Sequence, residues 1–404
     1  MTTVALPMRA QSPPRAIALR EWAPWAVDLT LDEASRLARQ AGDILDVDID
    51  RRGAIVVRPQ SYVGRFRTED FDIRIDPKVP VESVLAMLGD AFELVDFMPR
   101  VLVGEHHSIE DLIVRAFVAE VEALLRLGLH RVYTESDEAL SSMRGRVLVR
   151  ATTDLFLRGV PRVACRFEEF TTNNVENQVV AAALRAVSMN GALQPQHRLG
   201  ARKLAGDFVG VDALQLMNLD GVHRLGLDVR TRHYRRALGL AEMILRAMGF
   251  HERHGGWRSS GFLIDMNRLF ETVLTRRLTQ ALSPIGFDVQ RQVHTTLDLD
   301  GEVQVRPDIV VRSRSGRSAI VDAKYKNAPT PSQADMYQMI AYCRAMGVTD
   351  AVLVDVAGGP ERRYLIRDGV ITVHTMHVDL TSMATLAASV RNVAERIAAL
   401  VTPV

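Results

Sequence analysis

The chain has 404 residues, of which 47% are hydrophobic and 25% charged, with a formal net charge of +1. This is an ordinary globular composition, long enough for two or three cored domains, and it excludes a strongly basic protein that coats nucleic acid. Two cysteines, Cys165 and Cys343, make no disulfide framework and fit a reducing cytoplasm. No apolar run reaches the ~20 residues of a membrane span, and Arg9, Arg15 and Arg20 enclose no continuous apolar core of a signal peptide.

In chain order, residues 1 to about 17 are rich in Pro and Ala and read as disordered. Glu21 to Trp25 open a strand. Thr30 followed by Glu33 is a capping-box signature, which predicts a short helix to Gln40. Ile44 to Val57 reads as a hairpin about Asp50-Arg51-Arg52-Gly53. Short strands continue at Ser61–Arg65 and from Phe71, with a turn at Asp76-Pro77-Lys78. This makes a β-rich module of about 100 residues.

Helices follow at Val81–Val95 and Ser108–Leu127; the second has an apolar stripe through Ile109, Leu112, Phe117, Val121 and Leu124. The words Arg131–Ser136 and Met143–Val149 lead to Phe167–Asn177, and helices are expected at Glu176–Asn190, Leu199–Leu204 and Arg230–Met248. The middle region, 101–255, therefore reads as mainly helical. Arg144 and Arg146 either touch phosphate or a partner, or are solvated arginines of a turn at Gly145. The Arg230–Arg236 run, with His233, is either a solvated helix face or a DNA-backbone contact. His106-His107 and His251/Glu252/His254 lack metal-ligand company or spacing. Gly255-Gly256 and Ser259-Ser260 mark a linker into a third domain, 256–404.

Gly261 to Leu278 is helical in pattern, with Leu263, Met266, Phe270, Val273, Leu274 and Leu278 on one face. Glu271 borders that stripe, as a solvated carboxylate or as a third acid at a site. Val303 to Lys326 reads as two strands joined by a turn around Arg314, Ser315 and Gly316. Asp308 heads the apolar run of the first strand; Asp322 and Lys324 share one face of the second. Antiparallel pairing can bring Asp308 near both. Two carboxylates and an ammonium crowded together suit a divalent cation with hard oxygen ligands. Asp308, Asp322 and the carbonyl of Ala323 are the candidate ligands, and Lys324 the charge partner. Magnesium or manganese held there could acidify a water for phosphodiester cleavage. Ser332 caps a helix to Ala345 on which Gln338 and Tyr342 share a face at i, i+4. A strand at Asp350–Val356, a hairpin about Arg367-Asp368-Gly369 and a helix over Leu386–Leu400 complete the chain.

The order Glu271, Arg306-Pro307-Asp308, Asp322-Ala323-Lys324, then Gln338 and Tyr342 resembles a PD-(D/E)xK nuclease of the RecB-like branch. More narrowly, Ile264–Glu271, Val305–Ile309, Val321–Lys326 and Tyr337–Tyr342 are similar to McrC, the nuclease subunit of McrBC modification-dependent restriction systems. The likeness extends to Tyr62-Val63-Gly64, Ile75–Lys78, Arg144-Gly145-Arg146 and Asn177 at the opening of a long helix.

The resemblance implies an α+β multidomain chain: an N-terminal β-rich partner-binding module (1–100), a helical middle region and a C-terminal α/β nuclease domain with a mixed central sheet. It implies a catalytic set of Asp308, Asp322, Lys324, Glu271, Gln338 and Tyr342, with metal on Asp308, Asp322, Ala323 and Glu271. It also implies a McrB-like AAA+ GTPase hexamer as partner, whose pore the N-terminal end enters, and modified double-stranded DNA as substrate. The chain has no Gly-x4-Gly-Lys-Ser/Thr loop, so the motor is expected on another polypeptide. A RecB-like repair nuclease, or an adaptor with a vestigial nuclease domain that only stimulates the ring, are the alternatives.

Overall fold

In a computed structural model, the structure describes residues 14–94, 108–214, 219, 222, 225, 227–249, 260–326, 330–356, 358–367 and 369–402. Contacts divide the chain into two compact units, residues 1–109 together with 250–404, and residues 110–249. The expected linker at 255–259 and the histidines at 106–107 and 251–254 lie outside the described residues.

The N-terminal part of the first unit begins with β1 (Arg15–Arg20), so the last residues of the segment expected to be disordered form a strand. Glu21–Ala23 is a turn, and β2 is Trp25–Val27. Helix α1 (Leu31–Ala41) opens on the Thr30/Glu33 capping box: Thr30 Oγ1 accepts from the Glu33 amide and the Glu33 carboxylate accepts from the Thr30 amide. The expected hairpin is β3 (Leu45–Ile49) and β4 (Ile55–Pro59), paired antiparallel. Strands β5 (Tyr62–Arg67) and β6 (Phe71–Asp76) follow, then α2 (Val81–Ala91).

The second unit holds α3 (Ile109–Leu127), which starts at the boundary, β7 (Val132–Leu140), β8 (Arg146–Val147), α4 (Val149–Leu157) and β9 (Val163–Thr171). Then come α5 (Val175–Met189), α6 (Pro195–Ala205) and α7 (Arg235–Gly249). The middle region is thus not only helical: β7, β9 and β8 form a three-stranded antiparallel sheet. Gly145 takes φ +65°, and a Cβ there would lie 2.4 Å from the Arg166 carbonyl, so the tight turn into β8 requires glycine. Helix α5 is capped by Asn174. Asn177, three residues further on, is fully buried and satisfies backbone groups near the helix, donating to the His130 and Thr172 carbonyls.

The C-terminal part of the first unit corrects one expectation. Residues 261–265 are not helical: Ser260–Asp265 is strand β10, and α8 runs Met266–Leu282 with Asp265 as its cap. Sequence periodicity could not see this, because the strand exists only by pairing antiparallel with β5, about 200 residues upstream in the sequence. The resulting sheet has the order β1-β6-β5-β10. Gly64 makes the pairing possible. It has φ +128°, and a Cβ would come 2.1 Å from the Phe262 carbonyl. The Tyr62-Val63-Gly64 and Ile264–Glu271 words therefore meet one another: the Met266 amide donates to the Ser61 carbonyl and Asn267 Nδ2 to Ser61 Oγ. Leu263 joins Phe66, Ile73 and Ile75 in one core.

The remaining elements are β11 (Asp288–Arg291), β12 (Thr295–Thr296), β13 (Gln304–Val305), β14 (Ile309–Arg312), β15 (Ser318–Lys324), α9 (Gln333–Met346), β16 (Asp350–Asp355), β17 (Arg363–Leu365), β18 (Thr372–His377) and α10 (Met383–Val401). Six strands form a mixed sheet, β11-β14-β15-β16-β18-β17, in which β15, β16 and β18 are mutually parallel. The first strand of the expected Val303–Lys326 pair is interrupted at Arg306–Asp308, and β13 pairs with β12 instead. No described helix is long and apolar enough to cross a membrane.

Candidate functional site

Strand β15 carries the site because its alternation is broken chemically, not geometrically. Ile320, Asp322 and Lys324 share the face that packs on α9, where Ile320 touches the core of Met339, Tyr342 and Leu353. The next two positions along that apolar stripe are a carboxylate and an ammonium. Ile309 is opposite Val321, so one step further Asp308 faces Asp322 across the antiparallel pair. The Asp308 Oδ2 accepts from the Ala323 amide at 3.1 Å.

Lys324 Nζ lies 2.7 Å from Asp322 Oδ2 and donates to Gln338 Oε1 at 2.9 Å; Gln338 Nε2 donates to the Tyr342 hydroxyl at 2.7 Å. The i, i+4 spacing on α9 thus builds a relay, Lys324–Gln338–Tyr342. Asp335, the N3 partner of Ser332 in a capping box, holds Lys326 at 3.0 Å and lies 3.8 Å from Lys324. Its role was legible as a Ser-x-x-Asp signature.

Burial shapes the charges. Asp322 is 1% exposed, and desolvation together with the Asp308 charge pushes its carboxyl up to about 6 against the pull of Lys324. Asp308 is raised by burial and by Glu271. Glu271 is raised by burial, with a further push from Asp322. For Lys324, burial disfavours the ammonium, but Asp322 outweighs it and the amine is raised. Burial also raises Tyr342, with Asp322 adding to it. Among the described residues, Asp322 Oδ2 takes no well-aligned hydrogen bond, although the Lys324 ammonium stands 2.7 Å from it.

Glu271 reaches the cluster through a residue that sequence reading missed. Gln292 Nε2 donates to Glu271 Oε1 and, at 3.3 Å, to Asp308 Oδ1; its backbone amide donates to the Asp308 carbonyl. Gln292 has φ +49°, an uncommon conformation for a non-glycine, which swings the amide between the two acids. No local pattern announces it. Among the described residues no three His, Cys, Asp or Glu side chains converge at metal-ligand spacing. The donor set is two facing carboxylates and backbone, with the third acid engaged by an amide. That suits a magnesium-like ion, which is held by one or two carboxylates and keeps several waters.

The basic residues outside this cluster are placed differently. Arg144 lies over the Phe167 ring at 4.1 Å and 3.6 Å from Glu169; Arg236 pairs with Glu120 at 2.8 Å. Arg146 stands opposite Arg166 in the β8–β9 pair, and Arg230 and Arg232 are exposed.

The fold and site define a mixed α/β protein whose six-stranded sheet ends in paired, desolvated carboxylates beside a lysine. A family model described as "McrBC 5-methylcytosine restriction system component" matches residues 57–354, and the chain belongs to that family. No curated protein matches. Among solved structures, a chain in the refined half-complex from the tetradecameric assembly of Thermococcus gammatolerans McrB AAA+ hexamers with bound McrC is similar at a TM-score of 0.58 and 18% identity. The match covers 95% of this chain and 100% of that one. A chain in the cryo-EM structure of the Thermococcus gammatolerans McrBC complex matches at a TM-score of 0.42 and 19% identity, over 66% of this chain and 88% of that one.

Proposed function

We propose that the chain is the McrC-type, magnesium-dependent endonuclease subunit of a McrBC-like restriction complex, with the PD-(D/E)xK site at Asp308, Asp322 and Lys324. It cuts double-stranded, modified DNA when licensed by a McrB-like AAA+ GTPase hexamer, which it also stimulates. The observation that carries this reading is the crowding of Asp308 and Asp322 with raised carboxyls against the Lys324 ammonium. Such a cluster is poorly stable alone and becomes favourable around a cation. Asp308, Asp322 and the Ala323 backbone would hold that ion, which when bound supplies an activated water and charge neutralisation. Glu271 borders the same cluster and, released from Gln292, would add an oxygen.

The chain's own groups do the rest. Lys324 presents a proton-rich ammonium where a phosphate oxygen or the attacking water would be oriented. Gln338 fixes that ammonium by accepting a hydrogen bond from it, and Tyr342 fixes Gln338. The Thermococcus assembly, in which McrC is bound to McrB hexamers, supports the choice of partner. Family membership supports modified DNA as the substrate. The complete acid–acid–lysine set argues against a purely adaptor role.

The test uses Asp308→Ala and Asp322→Ala in the full chain with the cognate GTPase. Cleavage of modified DNA in magnesium should vanish while stimulation of GTP hydrolysis persists. Cleavage that survives both substitutions would rule out this site.

A further inference from the structure

Only four of the 50 Lys and Arg residues are lysine: Lys78, Lys203, Lys324 and Lys326. Three of the four meet at the C-terminal end of β15. A chain that otherwise uses arginine needs something there that a planar guanidinium does not supply: a compact ammonium able to approach one carbonyl oxygen closely.

Lys78 follows β6 in the N-terminal strands. Its Nζ donates to the Tyr325 carbonyl at 3.0 Å and lies 3.9 Å above the centre of the Tyr325 ring. Glu21 completes the clamp: one oxygen, Oε2, accepts from the Lys78 amide at 3.3 Å and from the Tyr325 hydroxyl at 3.2 Å. Glu21 is 2% exposed and Tyr325 fully buried. Asp355, the register partner of Lys324 on β16, adds its field at the Lys78 ammonium.

Tyr325 is bonded directly to Lys324. The carbonyl that Lys78 holds lies in the planar peptide joining Tyr325 to Lys326, and the Tyr325 ring and hydroxyl are held as well. The residue that follows Lys324 is thus fixed in both backbone and side chain, which limits the direction in which Lys324 leaves the strand. An apolar residue of similar size would glue the strands together as well or better, because burying Lys78 and Glu21 is expensive. The polar clamp therefore does something that packing alone would not. It specifies one position of a backbone group next to the site.

We propose that Lys78, held by Glu21 and Tyr325, is a positioning residue for Lys324, through which the N-terminal strands set where the ammonium stands at the carboxylate cluster. The activity arm of this idea rests on the endonuclease reading; the geometric arm does not. It assigns to the Ile75–Lys78 turn a role toward the site on β15.

The experiment uses the full chain with Lys78→Met, Lys78→Arg and Tyr325→Phe. Trace acetylation with acetic anhydride, read by mass spectrometry, gives the reactivity of the Lys324 amine relative to Lys203. Lys78→Met should change that ratio about threefold as the amine's position against Asp322 changes, measured where the variant is fully folded. Tyr325→Phe should shift it less in the same direction, and it carries the test if Lys78→Met fails to fold. With magnesium, modified DNA and the GTPase, Lys78→Met should lower kcat about tenfold, some 1.4 kcal/mol, without changing half-saturation by magnesium. GTPase stimulation should stay, and Lys78→Arg should recover part of kcat. An unchanged Lys324 ratio in Lys78→Met and Tyr325→Phe overturns the proposal, as does a loss of cleavage that merely tracks a loss of folded protein. If the ratio shifts but the wild type cuts nothing, positioning stands and the endonuclease reading falls.

Discussion

Two buried polar clusters, one in each unit, handle burial in opposite ways. In residues 110–249, Asn177 donates to the His130 and Thr172 carbonyls and accepts from the Tyr234 hydroxyl at 2.7 Å. That hydroxyl in turn accepts from the His130 amide at 2.7 Å. Every polar atom named has a partner, and no net charge is enclosed. At the end of β15, by contrast, Asp308, Asp322 and Glu271 are all pushed toward protonation, and among the described residues Asp322 Oδ2 has a lysine beside it but no aligned hydrogen bond. A satisfied network holds a fold together. An unsatisfied, like-charged one is held in place by the fold around it and is left free to bind something else.

The largest expected effect separates the two directly. Asp308→Ala should reduce DNA cleavage on the order of a thousandfold, while the melting temperature measured without metal stays level or rises, because a crowded carboxylate has gone. A large fall in melting temperature would make the acid cluster structural and erase the contrast. Asn177→Ala should do the reverse. It leaves the Thr172 carbonyl and the Tyr234 hydroxyl proton without their partner, while the His130 carbonyl keeps Asn174, and should cost about 3 kcal/mol in denaturant unfolding.

A pH series sharpens the comparison. Burial pushes the Glu21 carboxyl from its usual value up to about 7, against the opposing charge of Lys78. A raised folded pKa means that the native state binds the proton more tightly. Its contribution is full below the ordinary Glu value near 4.5 and is lost as pH climbs to about 7. Lys78, pulled down to about 8 by burial, is protonated in folded and unfolded chains throughout that window and adds no slope. Glu21 should account for about 2 kcal/mol of the stability lost between pH 5 and 7, on top of the loss from the raised Asp322 carboxyl, so Glu21→Gln should make the decline shallower by that amount. Equal slopes in the two proteins would show that another group titrates. The smallest effect belongs to Gln292→Ala, expected to change cleavage roughly tenfold and to move half-saturation by magnesium, as second-layer partners of metal ligands do. A variant identical to wild type in both would make the amide bridge incidental.

Sequence reading and structure agree where the physics is local. Thr30 with Glu33 fixed the start of α1, Ser332 the start of α9, and the Asp50–Gly53 turn the β3–β4 hairpin. Asp322 and Lys324 were bound to share a face by strand period, and Gln338 and Tyr342 by helix period. Disagreement falls where an element owes its state to a distant partner. Gly261–Asp265 has a helix-compatible apolar pattern, yet it is a strand because β5 offers an open edge and Gly64 lets it approach. The sheet in residues 132–171 has no local signature, since its Tyr133–Phe170 pair, tilted by 33°, and its register are contacts between segments far apart in sequence.

Covalent order alone dictated which chemical groups exist and how neighbours three or four residues apart, or two apart on a strand, must face. Those are consequences of backbone geometry at short range. Folding decided which remote groups arrive beside them: Gln292 between two acids, Lys78 at the Tyr325 carbonyl, Ser61 under the start of α8. Long-range pairing depends on the complementarity of two surfaces, and neither segment carries the other's half of that information.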